Sequence, residues 1–290
     1  MSDTSTLSQL NLAPGMQITL RDWPLADAAL AKAQVLIVHG LGEHSGRYEH
    51  VAQQLNSWGY AVRSFDLWGH GLSDGARGSM RDEHAMLDDV AAVVDHTRKA
   101  MAPGQSLVLL GHSLGGLLAA RFVSLRMRPI DALVLSSPAL DPGLNAFQKM
   151  LLATLPGIAP NLRVGNGLQV KYLSHDPAVV AAYLADPLVH DRICARLGLF
   201  IAQAGRAVLA TAPQWATPTL LLFAGKDKLV SPRGSRDFIQ RAPATLVQSL
   251  CFETLYHEIF NEADAAPVFA ALQQWLHVGW ADLASATQPA

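Results

Sequence analysis

The sequence is short of cysteine, of net charge and of long apolar runs. Only two cysteines, Cys194 and Cys251, occur among 290 residues, in unrelated surroundings. That excludes a disulfide framework and a CxxC metal site. A single bond between the two stays open, with a reducing compartment as the simpler assumption. Lys and Arg number 22 against 24 Asp and Glu, a formal charge of −2, so no electrostatic footprint for nucleic acid or an anionic membrane is visible. The longest apolar runs, such as Thr219–Ala224, are of strand length, far from the roughly 20 residues of a membrane span. Met1 to Leu12 is polar and rich in Ser and Thr, with neither a basic nor an apolar block, and does not read as a secretory signal. The expectation is a soluble, cytoplasmic protein, with no metal or organic cofactor signalled and the oligomeric state left open.

Half of the residues are apolar and 16% are charged, with 22 Gly and 16 Pro. This is the profile of a globular chain with a large core, not of a disordered or collagen-like one. Short apolar runs alternate with helical patterns, which predicts parallel βαβ units. Strands are expected at Val35–Val38, Ala61–Phe65, Leu107–Leu110 and Ala132–Leu135. A helix is expected over Arg81 to Met101, with Met86, Leu87, Val90, Val93 and Val94 on one face, and another from Gly115 to Leu125. From Ala139 to about Pro213 the rhythm breaks into helical pieces without a clean strand. It resumes with strands at Thr219–Ala224 and Leu246–Phe252 and a helix at Ala265–Trp280. The pattern describes one α/β sheet domain, residues 1–138 and 214–283, carrying an inserted lid at 139–213. A small polar tail at 284–290 is expected to fray.

Gly111-His112-Ser113-Leu114-Gly115 matches G-x-S-x-G, after a predicted strand and before a predicted helix, the context that gives the motif meaning. Ser113 must sit on a turn too tight for bulky neighbours two residues away, and the two glycines meet that need. The turn points the hydroxyl off the sheet edge and leaves the Leu114 N–H free at a helix N-terminus, where it can stabilise an oxyanion. A second donor belongs in the loop after Val35–Val38, where Leu41 of His39-Gly40-Leu41-Gly42 is the candidate, although a plain Gly-rich turn reads the same way.

A serine hydroxyl needs a base, and the base needs an acid to hold its tautomer. The expected chain order is Ser, then Asp or Glu, then His, each beyond a later strand. Asp227 follows Thr219–Ala224, where it could equally cap a turn. His257 follows Leu246–Phe252 and is preferred among 11 histidines over His175, His190 and His277. Asp66 and His70, in Asp66-Leu67-Trp68-Gly69-His70-Gly71, read as loop-tying residues rather than chemistry.

The segments His39-Gly40-Leu41-Gly42-Glu43-His44-Ser45-Gly46-Arg47-Tyr48, Asp66-Leu67-Trp68-Gly69-His70-Gly71-Leu72-Ser73-Asp74-Gly75, Gly111–Gly116, Asp186-Pro187-Leu188 and Tyr256-His257 together resemble the monoacylglycerol lipase and lysophospholipase branch of the α/β-hydrolase superfamily. The resemblance runs from about Val35 to the last helix. It implies a mostly parallel eight-stranded sheet flanked by helices, with a helical cap inserted after the sixth strand. It also implies a triad of Ser113, Asp227 and His257, oxyanion donors at Leu41 and Leu114, and a glycerol head group near Glu43 and Arg47, although these two could equally pair with each other. Animal members carry a cysteine shortly after D-P-L, where Val189-His190 stand here, and the cap matches poorly, so the preferred ester does not carry over.

The implied activity is hydrolysis of a small lipid ester through an acyl-enzyme. A short-chain esterase or acyltransferase would keep the same triad, and a non-catalytic binding protein on this scaffold would be expected to lose a triad member. Ser113 argues against dehalogenases and epoxide hydrolases, which place Asp at the nucleophile position. Phe147, Met150, Leu151, Leu152, Leu155 and Ile158 form an apolar stretch that reads either as a lid touching lipid surfaces or as an ordinary cap helix packed on the core.

Overall fold

The computed structural model describes residues 5–27, 30–143 and 146–280, with side chains left out at 146–149 and 278–279. The expected frayed tail at 284–290 lies outside the described residues, as do the ends of the expected core at 1–4 and 281–283.

Among the described residues ten strands form: β1 (Thr6–Ala13), β2 (Met16–Trp23), β3 (Gln34–Val38), β4 (Ala61–Phe65), β5 (Leu107–His112), β6 (Ala132–Ser136), β7 (Arg163–Gly165), β8 (Arg192–Cys194), β9 (Thr219–Ala224) and β10 (Val247–Phe252). Eight of them make one sheet in the order β1-β2-β4-β3-β5-β6-β9-β10. The pairs β1–β2 and β2–β4 are antiparallel and the rest parallel. The inner strands are near-continuous apolar runs because both faces are covered. Leu36, Leu109, Leu133 and Leu221 point into one core. Their alternates Val35, Ile37, Val108, Leu110, Val134, Leu220 and Leu222 point into the other.

The α-helices among the described residues are α1 (Glu49–Ser57), α2 (Ala85–Ala100), α3 (Leu114–Ser124), α4 (Ala146–Ile158), α5 (Pro177–Ala185), α6 (Ala195–Thr211), α7 (Pro232–Arg241) and α8 (Ala266–Gln274). Met86, Leu87, Val90, Val93 and Val94 of α2 join Leu117 and Leu118 of α3 and Phe238 of α7 on the first face. Val51 and Leu55 of α1 and Val268 and Leu272 of α8 cover the second. The result is an α/β/α sandwich of the expected class. Among the described residues no helix is long and apolar enough to cross a membrane.

Several elements differ from the sequence reading. The polar N-terminal segment is the edge hairpin β1–β2, whose first strand is largely exposed. Within 139–213, α5 and the antiparallel ribbon β7–β8 accompany the expected helices. The two cysteines are free thiols.

Chain order reverses between β3 and β5, where successive crossovers leave to opposite sides of the sheet. Such a switch point opens a crevice outside the carboxyl ends of the strands. Asp66 ties the loops that border it. Its carboxylate accepts the N–H groups of Ser45 and Leu72, each at 2.7 Å, and its carbonyl accepts the Ser73 hydroxyl at 2.6 Å. Asp66→Ala would leave the buried Ser45 N–H without an acceptor. The expected loss is about 1–3 kcal/mol, read as a lowered urea midpoint with an unchanged slope.

Candidate active site

β5 ends at His112 and α3 begins at Leu114. Between them Ser113 has φ 54° and ψ −116°, a conformation that costs a residue with a Cβ on the order of 1–3 kcal/mol. The strain is imposed by close packing of the helix start. A methyl on Gly115 would stand 2.0 Å from the Val38 carbonyl oxygen, and one on Gly111 would stand 2.4 Å from that of Gly115. The Ser113 N–H donates to Ser136 O, and its carbonyl accepts from Leu117 N and Ala139 N, all at 3.0 Å. The backbone is fixed on both sides while the hydroxyl stays free of hydrogen bonds to the described residues.

β3 is the neighbour of β5, so its terminal loop lies against the serine. A methyl on Gly40 would approach Ser113 Cβ to 3.3 Å. Buried His39 accepts the Leu67 N–H on Nε2 at 2.9 Å, so its Nδ1–H donates to Gly40 O at 2.8 Å. Burial, only partly offset by Asp66 and Glu43, keeps this imidazole's pKa low. The N–H groups of Leu41 and Leu114 have no acceptor among the described residues, and that of Leu114 belongs to the first turn of α3, where helix donors are unpaired.

Asp227 and His257 meet. His257 Nδ1 is 2.6 Å from Asp227 Oδ2, and both side chains are buried. Asp227 Oδ1 accepts Leu229 N at 2.8 Å and Val230 N at 3.0 Å, so the turn-capping reading and the partner reading both hold, one on each oxygen. Burial would lower the His257 pKa, but the Asp227 charge and hydrogen bond, with Glu258 and Glu43 behind them, raise it above 6.5. Burial would raise the Asp227 pKa, and His257 with two backbone N–H groups lowers it below 3.8. The His257 ring lies 4.8 Å from that of His112, the residue before the serine. No hydrogen bond joins Ser113 Oγ to His257 Nε2 in this structure; such bonds tighten when substrate enters. The other candidate bases are engaged elsewhere. His175 pairs with Glu262 at 2.8 Å, His190 packs on His70 at 4.6 Å, and His277 meets Lys32 at 3.1 Å.

Glu43 and Arg47 meet as well. Arg47 Nη1 is 2.6 Å from Glu43 Oε2, and Glu43 Oε1 accepts the Tyr48 hydroxyl at 2.7 Å. Burial is the largest influence and opposes ionisation of Glu43, but Arg47, the nearby imidazoles and the Tyr48 hydroxyl together outweigh it and hold the carboxyl at a pKa of about 2. Sequence reasoning missed two partners. Glu258 closes a second ion pair on Arg47 at 2.6 Å, and its place beside His257 was the available signal. Asp186, in the D-P-L segment, binds His44 Nε2 at 2.8 Å.

A family model described as serine aminopeptidase, S33 (Hydrolase_4) matches residues 29–264. The chain belongs to this family of α/β hydrolases. A monoacylglycerol lipase of Mycolicibacterium smegmatis is 33% identical over 83% of this chain and 87% of its own length. A Bacillus subtilis phospholipase, YtpA, is 33% identical over 82% of this chain and 93% of its own. The crystal structure of a Paleococcus ferrophilus monoacylglycerol lipase shares 34% identity, covers 90% of this chain and 98% of its own, and superposes with a TM-score of 0.81. This chain also spans 29% of the length of a longer Dictyostelium discoideum abhydrolase domain-containing protein.

The closeness of α3 to the β3 end yields a direct test. Gly115→Ala forces a methyl against backbone oxygen, not against a side chain that could move aside. A stability loss of about 3 kcal/mol or more is expected, at the upper end of overpacking costs. Chemical denaturation reads it.

Proposed function

We propose that the protein is a serine hydrolase of lipid carboxylic esters, monoacylglycerols or lysophospholipids, acting through an acyl-enzyme on Ser113. The observation that carries this reading is the buried 2.6 Å bond between His257 and Asp227 beside a serine held in a strained turn. Asp227 holds the proton of His257 on Nδ1, which leaves Nε2 as the basic nitrogen facing the nucleophile. His257 takes the Ser113 proton as Oγ attacks the carbonyl, and returns it to the leaving alcohol. The N–H groups of Leu41 and Leu114 receive the negative charge that develops on the carbonyl oxygen, each worth a few kcal/mol. Water then repeats the sequence and frees the acid.

Residues 139–213 are proposed as the cap and 1–138 with 214–283 as the catalytic core. A cleft of about 940 Å³ between α4, α6 and α7, lined by Leu140, Leu152, Leu199 and Leu209 together with the charged Asp141, Arg206, Arg233 and Asp237, is proposed to take an acyl chain along its leucines. Leu140 follows Ala139, whose N–H binds the Ser113 carbonyl. The head group is proposed to lie over Arg47 in a groove of about 290 Å³ that His44, Tyr183 and Asp186 also line. Both Glu43 oxygens are taken by Gly40, Tyr48 and Arg47, so Glu43 acts on that head group through Arg47. Met150, Leu151 and Ile158 of α4 are 56%, 37% and 83% exposed. They support reversible contact with lipid surfaces by apolar insertion rather than charge, in a protein working in the cytoplasm and peripherally at membranes. The Phe147 side chain, expected to share that stripe, lies outside the described residues.

Kinetics on monoacylglycerols, lysophospholipids, p-nitrophenyl esters and an aminoacyl p-nitroanilide test the reading. Lipid esters are expected to lead, and Ser113→Ala should lower kcat by at least about 10⁴-fold. Preference for short esters, faster acyl transfer than hydrolysis, or cleavage of the anilide alone would contradict it. Absence of fluorophosphonate labelling at Ser113 would restore the binding-protein alternative.

Attack needs neutral His257, and its raised pKa moves protonation to higher pH. The acidic limb of kcat/KM is therefore expected to have its midpoint above pH 6.5, and a pH profile on a soluble ester checks this. Rates on one ester below and above its aggregation threshold test surface contact. A jump above the threshold is expected, and a continuous saturation curve would remove that part of the proposal.

A further inference from the structure

Glu258 takes no part in the steps above, yet it is charged, 5% exposed and adjacent to the base. Its two carboxylate oxygens accept Arg47 Nη1 at 2.6 Å and Nη2 at 2.7 Å, and Asn261 Nδ2 donates to it at 2.8 Å. The same Nη1 reaches Glu43 Oε2 at 2.6 Å, and Glu43 Oε1 accepts the Gly40 N–H at 2.5 Å. The contacts therefore start beside His257 and end at the N–H of Gly40, the residue before Leu41. The two loops leave β10 and β3, which stand four places apart in the sheet, so the strand ladder does not set their spacing directly.

We propose that Glu258 is a positioning residue which, through Arg47 and Glu43, holds the loop carrying His257 in register with the oxyanion loop carrying Leu41. The inference rests on the catalytic reading of the preceding subsection and deepens it.

Stability alone does not account for the cluster. Two carboxylates and one guanidinium, nearly buried, cost more to desolvate than an apolar group of the same size, so a buried ion triad is a poor way to stabilise a core. What a guanidinium fork supplies is direction. Two parallel N–H donors fix both the distance and the plane of the facing carboxylate. The fork is also covered, since the Tyr183 ring of α5 lies 4.8 Å from the Arg47 guanidinium carbon. A positioning contact also acts electrically here. The groups facing His257 are the carboxylates of Asp227, Glu258 and Glu43 and the ring of His112, with Arg47 between the two glutamates.

Glu258→Gln keeps the shape but removes the charge and one acceptor of the fork. On a soluble p-nitrophenyl ester, kcat is expected to fall about 10- to 100-fold, the range that small misplacements of catalytic groups produce, with KM changed by less than about twofold. The rate constant of fluorophosphonate labelling should fall in parallel. Losing a negative charge near the imidazole makes its cation less stable, so the acidic limb should move to lower pH. Unchanged kcat in protein that melts like the wild type overturns the proposal. So does a change confined to KM or to melting temperature, or a kcat loss with the acidic limb unmoved. Should Glu258→Gln not fold, Arg47→Lys decides the matter, because it keeps the positive charge and loses the fork. It is expected to lower the labelling rate by the same order, and wild-type labelling kinetics in the folded variant overturn the proposal. Wild-type protein that is not labelled at Ser113 refutes the catalytic reading itself. Labelled wild type with an unaffected Glu258→Gln refutes only this inference.

Discussion

The arrangement depends on one close approach, that of the first turn of α3 to the end of β3. Gly115 lies so near the Val38 and His39 carbonyls that a methyl would fall 2.0 and 2.5 Å from them. That contact brings the helix axis in over the strand ends and forces Ser113 into its strained turn. It also brings the β3 loop against the serine, because the strand the helix touches is the strand that loop leaves. The candidate nucleophile and the candidate oxyanion donors are thus consequences of a single packing event. The strain at Ser113 persists because hydrogen bonds to Ser136, Leu117 and Ala139 over-determine the backbone on either side.

The remaining groups arrive from farther away and are held by charge. Asp227 is divided between two tasks: one oxygen closes its own turn and the other fixes the proton of His257. A carboxylate that must keep two backbone N–H groups satisfied is not free to swing, so the imidazole receives a rigid partner. Around them stand buried histidines kept neutral by their surroundings. Burial with the neighbouring His257 lowers the pKa of His112 to about 4, so at neutral pH it packs on His257 as a neutral ring.

The fold was legible where the chain is buried on both faces. The central strands β3, β5, β6 and β9 are short, nearly continuous apolar runs, and their length and the turn residues that bound them mark them as strands. The β1–β2 hairpin went unread although Met16, Ile18 and Leu20 alternate with polar residues after Pro14-Gly15; its first strand, Thr6–Ala13, is mostly exposed and offers only Leu10 and Leu12 to the core. Inside 139–213, α5 packs mainly through Tyr183, and a helix with one buried side chain leaves no stripe. The candidate triad was readable for a different reason: Ser113, Asp227 and His257 each follow a recognisable strand, and strand order fixes which loops meet. Glu258 was not, since its role depends on Arg47, 211 residues away, and a lone acid after a histidine carries no periodic signal. Glu43 and Arg47 were anticipated as neighbours of a head group, and their four-residue separation suits the pair they form, but the third member could come only from coordinates.

The segment at 139–213 is bound to the rest of the chain unevenly, and the unevenness has a direction. Polar links fasten it near the β3 loop and the base. His190 N donates to Gly42 O at 2.9 Å, Glu258 N to Leu173 O at 2.8 Å, and Cys194 N to Gly78 O at 2.8 Å, while Asp186 holds His44. Around α4 the contacts are apolar and the outward residues bare. Hydrogen-bonding groups gather toward α5 and Arg47, while the cleft beside α4 and α6 is of mixed character, with Leu140, Leu152, Leu199 and Leu209 next to Asp141, Arg206, Arg233 and Asp237. The segment therefore has two ends of unlike character: hydrogen-bonded backbone and an ion pair beside the β3 loop, and the exposed Met150, Leu151 and Ile158 on α4.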